Sequence, residues 1–169
     1  SNRVSPGGID ELAILARTML QAVKPDRSVE VTLSDGTRLR GTLHESLSVD
    51  DAKAMAGRTL DLDAAYKQLS VSASSLWAAV LKTYNTERGD DELYVSQALS
   101  FGAASAVPAF NVHARANRKL GTRLFGFWWT QFLDDHPQLD VCRAGDASQL
   151  AAERFFDLCG LRASVKEKK

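Results

Sequence analysis

The amino-acid sequence predicts an α+β fold in which an antiparallel sheet carries helices packed on one face. Segments with the two-residue apolar alternation of strands are interleaved with segments of helical periodicity. The strand segments occur in pairs separated by short polar turns, which is typical of antiparallel hairpins. Each helical segment has one apolar side, so the helices must cover one face of the sheet. We expect the other face of the sheet to be open to solvent.

The first part of the chain is expected to hold a helix, a hairpin and a second short helix. Asp35-Gly36 is a strong hairpin signal because this dipeptide adopts the positive φ angles of a tight turn. We divide the chain into an N-terminal region, residues 1–57, and a second domain, residues 58–169. The elements expected before the division are a helix over 9–23, a hairpin over 28–43 and a helix over 49–56.

The second domain alternates between strands and helices. The elements expected are a strand over 58–62, a turn or short helix over 64–70, strands over 76–84 and 92–99, a helix over 104–120, strands over 122–133 and 138–142, a helix over 146–159 and a short strand over 161–165. Pro108 must lie in the first turn of the long helix or kink it. Gly160 is expected to end the last helix in a C-cap role.

Composition narrows the class of protein. The chain has 169 residues, of which 44% are apolar and 25% charged, with a formal net charge of zero. Such a balance argues against holding nucleic acid by bulk charge alone, although it is compatible with a local basic channel. The sequence shows no membrane-length apolar run and no signal-peptide pattern, so we expect an intracellular protein, cytoplasmic or nuclear, without membrane contact. Cys142 and Cys159 match no metal or redox spacing and are expected as reduced thiols near the core.

Three aspartates next to apolar strand segments are candidate metal ligands. Asp61 lies in Thr-Leu-Asp-Leu-Asp-Ala-Ala-Tyr, and Asp134 and Asp135 lie in Gln-Phe-Leu-Asp-Asp-His. An aspartate between two leucines is unusual for a strand, which favours a site role. Taken alone, the Asp-Asp pair favours a plain hairpin turn, because Asp is common in turns. Divalent cations about 3.5–4 Å apart on such carboxylates can clamp the attacking and leaving oxygens of a phosphoryl transfer.

Four segments follow one another in an informative order. They are Leu-Asp-Leu-Asp-Ala-Ala-Tyr-Lys-Gln-Leu (60–69), Leu-Ser-Phe-Gly-Ala-Ala-Ser-Ala-Val-Pro-Ala-Phe (99–110), Phe-Leu-Asp-Asp (132–135) and Leu-Cys-Gly-Leu-Arg-Ala-Ser-Val-Lys (158–166). Together they resemble the palm domain of reverse transcriptases, the RNA-directed DNA polymerases of retroelements. The first resembles the motif with an aspartate and a later aromatic residue, and the second the Leu-Pro-Phe-Gly block before a long helix. The third resembles the aromatic-x-Asp-Asp turn, and the fourth the helix, glycine and lysine segment after it.

This resemblance implies a two-metal polymerase site. Asp61, Asp134 and Asp135 would hold two Mg²⁺ or Mn²⁺ ions, with the backbone carbonyl of Leu62 as a further ligand. The implied partners are an RNA template, a DNA primer and deoxynucleoside triphosphates, and nucleotides would be added to the primer 3′-end. Lys166 would protonate the leaving pyrophosphate as a general acid, and a solvated charged tail is the alternative for this residue.

The resemblance also implies a nucleotide-binding surface. The ring of Tyr66 would lie under the sugar of the incoming nucleotide and clash with a 2′-hydroxyl, which favours a DNA product. Phe101 and Gly102 would open the long helix near the templating base, where glycine allows close backbone approach. Gln97 and Ser100 would contact sugar or phosphate. A core tyrosine and a simple strand-to-helix turn are the alternative interpretations.

The chain also departs from the family pattern. Ser100 stands where the family usually has proline, and Arg38 and Arg40 are the only candidates for the basic residues that grip a triphosphate. No thumb follows the fourth segment, so we expect further domains in a larger polypeptide and no activity of this chain alone. His136 is expected at the rim of the site, because Mg²⁺ favours oxygen ligands. The alternatives are a catalytically inactive palm-like binding or scaffold domain, an RNA-dependent RNA polymerase, and an unrelated α+β domain.

Overall fold

The computed structural model describes residues 8–164, so Lys166 lies outside the described residues. The helices are α1 (Ile9–Ala22), α2 (Val49–Lys53), α3 (Ala106–Phe125) and α4 (Gly145–Leu158). The strands are β1 (Ser28–Thr32), β2 (Arg38–Thr42), β3 (Met55–Leu60), β4 (Val80–Asn85), β5 (Asp90–Val95), β6 (Trp128–Trp129) and β7 (His136–Val141). Short 3₁₀ turns lie at Ala65–Gln68, Ala73–Ala78 and Cys142–Ala144.

The strands form three separate antiparallel groups. β1 pairs with β2 and β4 pairs with β5 as two-stranded hairpins, and the third group is a three-stranded sheet in the order β3-β7-β6. In this sheet β7 is central and pairs with β3 from Met55 opposite Val141 to Leu60 opposite His136. The mixture of antiparallel strands and helices confirms the predicted α+β class. The division of the chain after residue 57 stays a prediction.

The hydrophobic core lies between the three-stranded sheet and the helices α3 and α4. The fully buried rings of Phe110 and Phe156 come from α3 and α4, and Trp129 contributes the largest ring of the sheet. The Trp129 and Phe156 ring centroids are 5.7 Å apart. On the other side of β3, Gly57 and Thr59 are exposed. Among the described residues, no helix combines the length and the apolar character that a membrane crossing requires.

Helix α1 lies beside the sheet and is tied to it by a polar contact. The Glu11 carboxylate accepts hydrogen bonds from the Arg118 guanidinium at 2.7 Å and from the Thr130 hydroxyl at 2.9 Å. Arg118 belongs to α3 and Thr130 follows β6, so this one carboxylate links three parts of the chain. The N-terminal helix is therefore integrated with the sheet that carries the candidate site.

The expected strand over 122–133 is wrong in its first half. α3 continues through these positions to Phe125, and Gly126 ends it with a φ of 68°. Gly121 lies inside this helix and allows close packing, since a Cβ there would lie 2.9 Å from the Phe127 ring and closer still to the Trp129 ring. Only 128–129 then form a strand.

Other expected boundaries shift less. Pro108 is the third residue of α3 and lies in its first turn, as predicted. Gly160 follows α4 with a φ of 74°, which agrees with its expected role at the helix end. The strand expected over 76–84 begins only at Val80, after a 3₁₀ turn. The last expected strand is reduced to one bridge between Leu62 and Ala163.

The expectation that the two cysteines lie near the core is wrong. Cys142 begins a 3₁₀ turn directly after β7, and Cys159 follows the last residue of α4. Both are free thiols at exposed positions. Both cysteines lie just beyond the end of a strand or helix, where the chain changes direction. Their side chains are therefore away from the helix and sheet faces that form the core.

Candidate functional site

The three candidate aspartates lie at one end of the ladder between β3 and β7. Leu60, the last residue of β3, pairs with His136, the first residue of β7. Asp61 therefore follows β3 at the level at which Asp135 precedes β7, and Asp134 lies one residue further into the turn. All three aspartates are partly exposed. The strand register thus brings the first and third sequence segments together.

The Asp-Asp segment is a tight turn with an unusual backbone. The N–H of Phe132 donates to the carbonyl of Asp135 at 2.9 Å, and the N–H of Asp135 donates to the carbonyl of Phe132 at 3.0 Å. Leu133 and Asp134 form the tip. Leu133 has a φ of 55°, a left-handed conformation that is uncommon for a residue with a side chain.

The backbone of Leu62 faces the Asp-Asp turn. Leu62 continues the direction of β3 and forms an antiparallel bridge with Ala163. In this bridge the N–H of Asp63 donates to the carbonyl of Arg162 at 3.0 Å, and the carbonyl of Asp61 accepts from the N–H of Ser164 at 2.8 Å. Successive backbone groups of a strand point to opposite edges, so the carbonyl of Leu62 is directed toward the edge on which the turn lies. This is the orientation that the resemblance requires of a metal ligand.

Gln68 ties the first sequence segment to the fourth. Its side-chain amide nitrogen donates to the carbonyls of Asp63 and, at 2.9 Å, of Arg162. Its side-chain oxygen accepts from the N–H of Arg162 at 2.6 Å. The Gln68 side chain thus donates to and accepts from the backbone of Arg162, as a neighbouring strand would. It holds the segment before the described end of the chain next to Asp61.

Tyr66 joins the first sequence segment to the second. Its ring lies 5.4 Å from the ring of Phe101 at 82° and 4.8 Å from the ring of Phe110. The residue is only 7% exposed, so its ring also belongs to the core. Burial raises the pKa of the Tyr66 phenol, and the nearby Asp134 carboxylate raises this pKa further. The ring contacts of Tyr66 with Phe101 and Phe110 thus connect the first sequence segment to the second.

The remaining residues of the expected nucleotide surface are more open. Phe101 is 85% exposed, although one edge contacts Tyr66. Gly102 has a φ of 91°, which glycine adopts without strain, and nothing within 4 Å would meet a Cβ there. Gln97 is exposed, and its backbone carbonyl accepts from the N–H of Val71 at 2.9 Å. All three positions are accessible, and Phe101 is the one that contacts Tyr66.

The expectation that His136 lies at the rim of the site is wrong. The residue is fully buried because it begins β7 on the core side, between Trp129 and Phe156. Its Nδ1 lies 3.2 Å from the carbonyl oxygen of Asp134. Burial lowers the pKa of His136 to about 4, and the carbonyls of Asp134 and Ala114 offset this only in part. The imidazole is therefore neutral at neutral pH.

Two further residues beneath the turn were missed from the sequence. Gln131 is 2% exposed and Asn111 is 5% exposed, and the Gln131 side-chain amide donates to the Asn111 side-chain oxygen at 2.6 Å. For both residues the sequence position could have suggested a role near the turn. Gln131 directly precedes the aromatic residue of the turn, and Asn111 occupies a polar position on the side of α3 that holds Phe110 and Ala114.

The two arginines proposed to grip a triphosphate lie on the β1–β2 hairpin. Both Arg38 and Arg40 are exposed, and Arg40 pairs with Glu30 at 3.4 Å. This hairpin is hydrogen-bonded separately from the sheet that carries the aspartates. A role of these arginines in gripping the triphosphate stays a prediction.

The donor atoms at the end of β3 and in the turn are all oxygens. They are the carboxylates of Asp61, Asp134 and Asp135 and the carbonyl of Leu62. Within residues 8–164, no group of three or more His, Cys, Asp or Glu side chains converges as a metal cage. Mg²⁺ commonly uses only one or two protein carboxylates and completes its shell with water and substrate phosphate. Oxygen donors of this kind are the ones that Mg²⁺ and Mn²⁺ prefer.

Comparison with known proteins adds no family to this description. No protein-family model matches the chain, and no curated protein matches it. The functional interpretation therefore depends on the four sequence segments and on the way in which the fold brings them together.

Proposed function

We propose that the chain is the palm of a reverse-transcriptase-like nucleotidyltransferase, which adds deoxynucleotides to a primer 3′-end on an RNA template. The observation that carries the proposal is the register of β3 and β7. It sets Asp61 beside the turn that holds Asp134 and Asp135. Tyr66, from the first segment, contacts Phe101 of the second segment, and the Asp134 charge adds to the effect of burial in raising the pKa of its phenol.

In this proposal Asp61 and Asp134 bind two divalent cations, and Asp135 and the carbonyl of Leu62 complete the protein's share of the ligands. The cations, when bound, lower the pKa of the primer 3′-hydroxyl and neutralise charge on the α-phosphate. The chain's own contribution is placement. Two hydrogen-bonded strands hold the carboxylates at a fixed separation, and this lowers the cost of orienting the reacting groups.

Tyr66 is the residue that selects the sugar in this proposal. Its ring packs on Phe110 within the core, so it cannot swing away from an incoming nucleotide. A 2′-hydroxyl would have to displace this ring, whereas a deoxyribose would not. Phe101, exposed and in edge contact with Tyr66, extends the apolar surface on which a base could stack.

The decisive experiment compares two aspartate substitutions in the complete protein. Asp134→Asn removes a proposed metal ligand at nearly constant shape, and we expect primer extension on an RNA template to fall by about 10³-fold or more, because the site would lose one of its carboxylates. Asp157→Asn is the matched control, since Asp157 is exposed on α4 and forms only a surface ion pair with Arg154. Extension that survives Asp134→Asn would overturn the site assignment.

A palm-like binding domain without catalysis is the second candidate. The exposed apolar side chains of Trp77, Leu93 and Phe101 favour it, because they are 82%, 70% and 85% exposed and lie on or near the β4–β5 hairpin. Calorimetric titration of the chain with Mn²⁺ separates the two candidates. The polymerase palm predicts binding that is lost in Asp61→Asn and Asp134→Asn, whereas the binding domain predicts no heat of Mn²⁺ binding in any of the three proteins.

A further inference from the structure

The tip of the Asp-Asp turn is held in a conformation that its own residues do not favour. Leu133 has a φ of 55°, and a leucine in the left-handed region persists only where the surroundings enforce it. The two hydrogen bonds between Phe132 and Asp135 close the turn but leave the carbonyls of Leu133 and Asp134 outside that pairing. Something else must hold the tip.

On one side the turn rests on a buried amide pair. The side-chain nitrogen of Gln131 lies 2.6 Å from the Asn111 side-chain oxygen and 3.5 Å from the carbonyl oxygen of Leu133. Both side chains are nearly inaccessible to water, so leaving either unpaired would be costly. Asn111 thus fixes the orientation in which Gln131 presents its N–H groups to the tip.

On the other side the turn rests on an imidazole. The Nδ1 atom of His136 lies 3.2 Å from the carbonyl oxygen of Asp134, and a carbonyl can only accept, so Nδ1 carries the proton. The ring is held by Trp129 at 5.4 Å and by Phe156 at 4.9 Å between centroids. Each of the two carbonyls at the tip therefore faces a donor on a buried side chain.

We propose that Asn111, Gln131 and His136 form a turn clamp, a set of positioning residues that holds the left-handed turn and so determines where the Asp134 carboxylate lies. The clamp itself follows from the contacts. Its purpose, to place a metal ligand, rests on the proposed function. A ligand on an unsupported turn would have to be ordered at each binding event, and the clamp removes that cost before the cation arrives.

The clamp is tested first by amide hydrogen exchange, measured by NMR on the chain and its variants. Gln131→Met keeps the length of the side chain and removes its donors, and we expect the Asp135 amide to exchange about tenfold faster or more. Gln138→Met is the matched control, because Gln138 is also buried in the sheet and bonds to Ser148, away from the turn. The control should leave the Asp135 amide unchanged.

An Asp135 amide that exchanges equally in wild type and in Gln131→Met overturns the clamp. If Gln131→Met does not fold, Asn111→Leu makes the same test, since it removes the acceptor that orients Gln131. Unaltered Asp135 exchange in a folded Asn111→Leu protein likewise overturns it.

The purpose of the clamp is tested by Mn²⁺ affinity in the same proteins. We expect Gln131→Met to weaken Mn²⁺ binding by about tenfold or more and Gln138→Met to leave it unchanged, because supporting residues of a ligand commonly have effects of this size. Equal Mn²⁺ affinity in wild type and in Gln131→Met overturns the positioning role. If Mn²⁺ does not bind wild type at Asp61 and Asp134, the proposed function fails, and the exchange experiment still decides whether the clamp exists.

Discussion

The three-stranded sheet and the β4–β5 hairpin have the same antiparallel pairing but opposite surroundings. β3 and β7 each pair over six residues, as do β4 and β5. The sheet presents Leu60, Trp129 and His136 to a core filled by α3 and α4, whereas β4 and β5 are exposed along most of their length. Because an isolated two-stranded hairpin is marginal in water, the two regions cannot be equally stable.

This difference bears on where the candidate site lies. The aspartates, the turn and its clamp are attached to the region that has a core, so their geometry is supported by buried side chains. The hairpin is attached at its base by backbone hydrogen bonds to the segment 69–71, from the N–H of Val71 to the carbonyl of Gln97 at 2.9 Å and from the N–H of Leu99 to the carbonyl of Leu69 at 2.8 Å. The contrast shows that hydrogen-bonded pairing sets the shape of a sheet, whereas burial decides how firmly that shape is held.

The largest expected effect contrasts the same substitution in the two regions. Leu60→Ala opens a cavity at a residue that is 4% exposed, and we expect a loss of about 2–5 kcal/mol in the free energy of unfolding. Leu93→Ala removes a side chain that is 70% exposed, and we expect a change within about 0.5 kcal/mol. Urea denaturation followed by circular dichroism measures both. If Leu93→Ala lost as much stability as Leu60→Ala, the Leu93 side chain would have to be buried in the folded protein, which would contradict the exposed β4–β5 hairpin.

The second prediction concerns pH and the buried His136. Its pKa is about 4 in the folded chain and about 6.5 when unfolded, so the unfolded state binds the proton more tightly. The stability that neutral His136 contributes is fully present above pH 6.5 and is lost as the pH falls to about 4. Across this window the loss reaches about 3 kcal/mol, from 1.36 kcal/mol for each pKa unit.

The measurement for His136 is the free energy of unfolding from pH 4 to pH 8 without added metal. His136→Gln has no titrating ring, so its pH profile should be flatter than that of wild type over the same range. Subtracting the two profiles removes the contribution of the carboxylates, which also lose stability in acid. Parallel profiles would show that the ring is hydrated and not part of the core.

The smallest predicted effect compares a glycine packed against core rings, Gly121, with a glycine on the exposed face of β3, Gly57. Gly121→Ala places a methyl group into the rings of Phe127 and Trp129, and we expect a destabilisation of about 1–3 kcal/mol from overpacking. Gly57→Ala adds a methyl group where nothing lies within 4 Å, on the exposed side of β3, and should be close to neutral. Thermal denaturation compares the two. A neutral Gly121→Ala would place the end of α3 nearer to the position that the sequence predicted.

Local patterns predicted the β1–β2 hairpin and the presence of the helices α1, α3 and α4, because each depends on neighbours in the chain. The Asp35-Gly36 turn, Pro108 in the first turn of α3 and Gly160 after α4 are short-range features of this kind. The end of α3 was predicted wrongly at residue 120, because the helix continues to Phe125. Its last turns pack against rings from a later segment, such as Phe127 and Trp129 beside Gly121, and local patterns do not show such contacts.

The sequence by itself determined the α+β class, the order of the elements and the candidate residues Asp61, Asp134, Asp135 and Tyr66. Only the tertiary structure decided that β3 and β7 pair in the register that sets Asp61 against the turn. It also decided that His136 is buried and that Gln131 meets Asn111 beneath Leu133. The physical reason is that pairing register and burial depend on contacts between distant segments, and these are settled only when the sheet and the helices pack together.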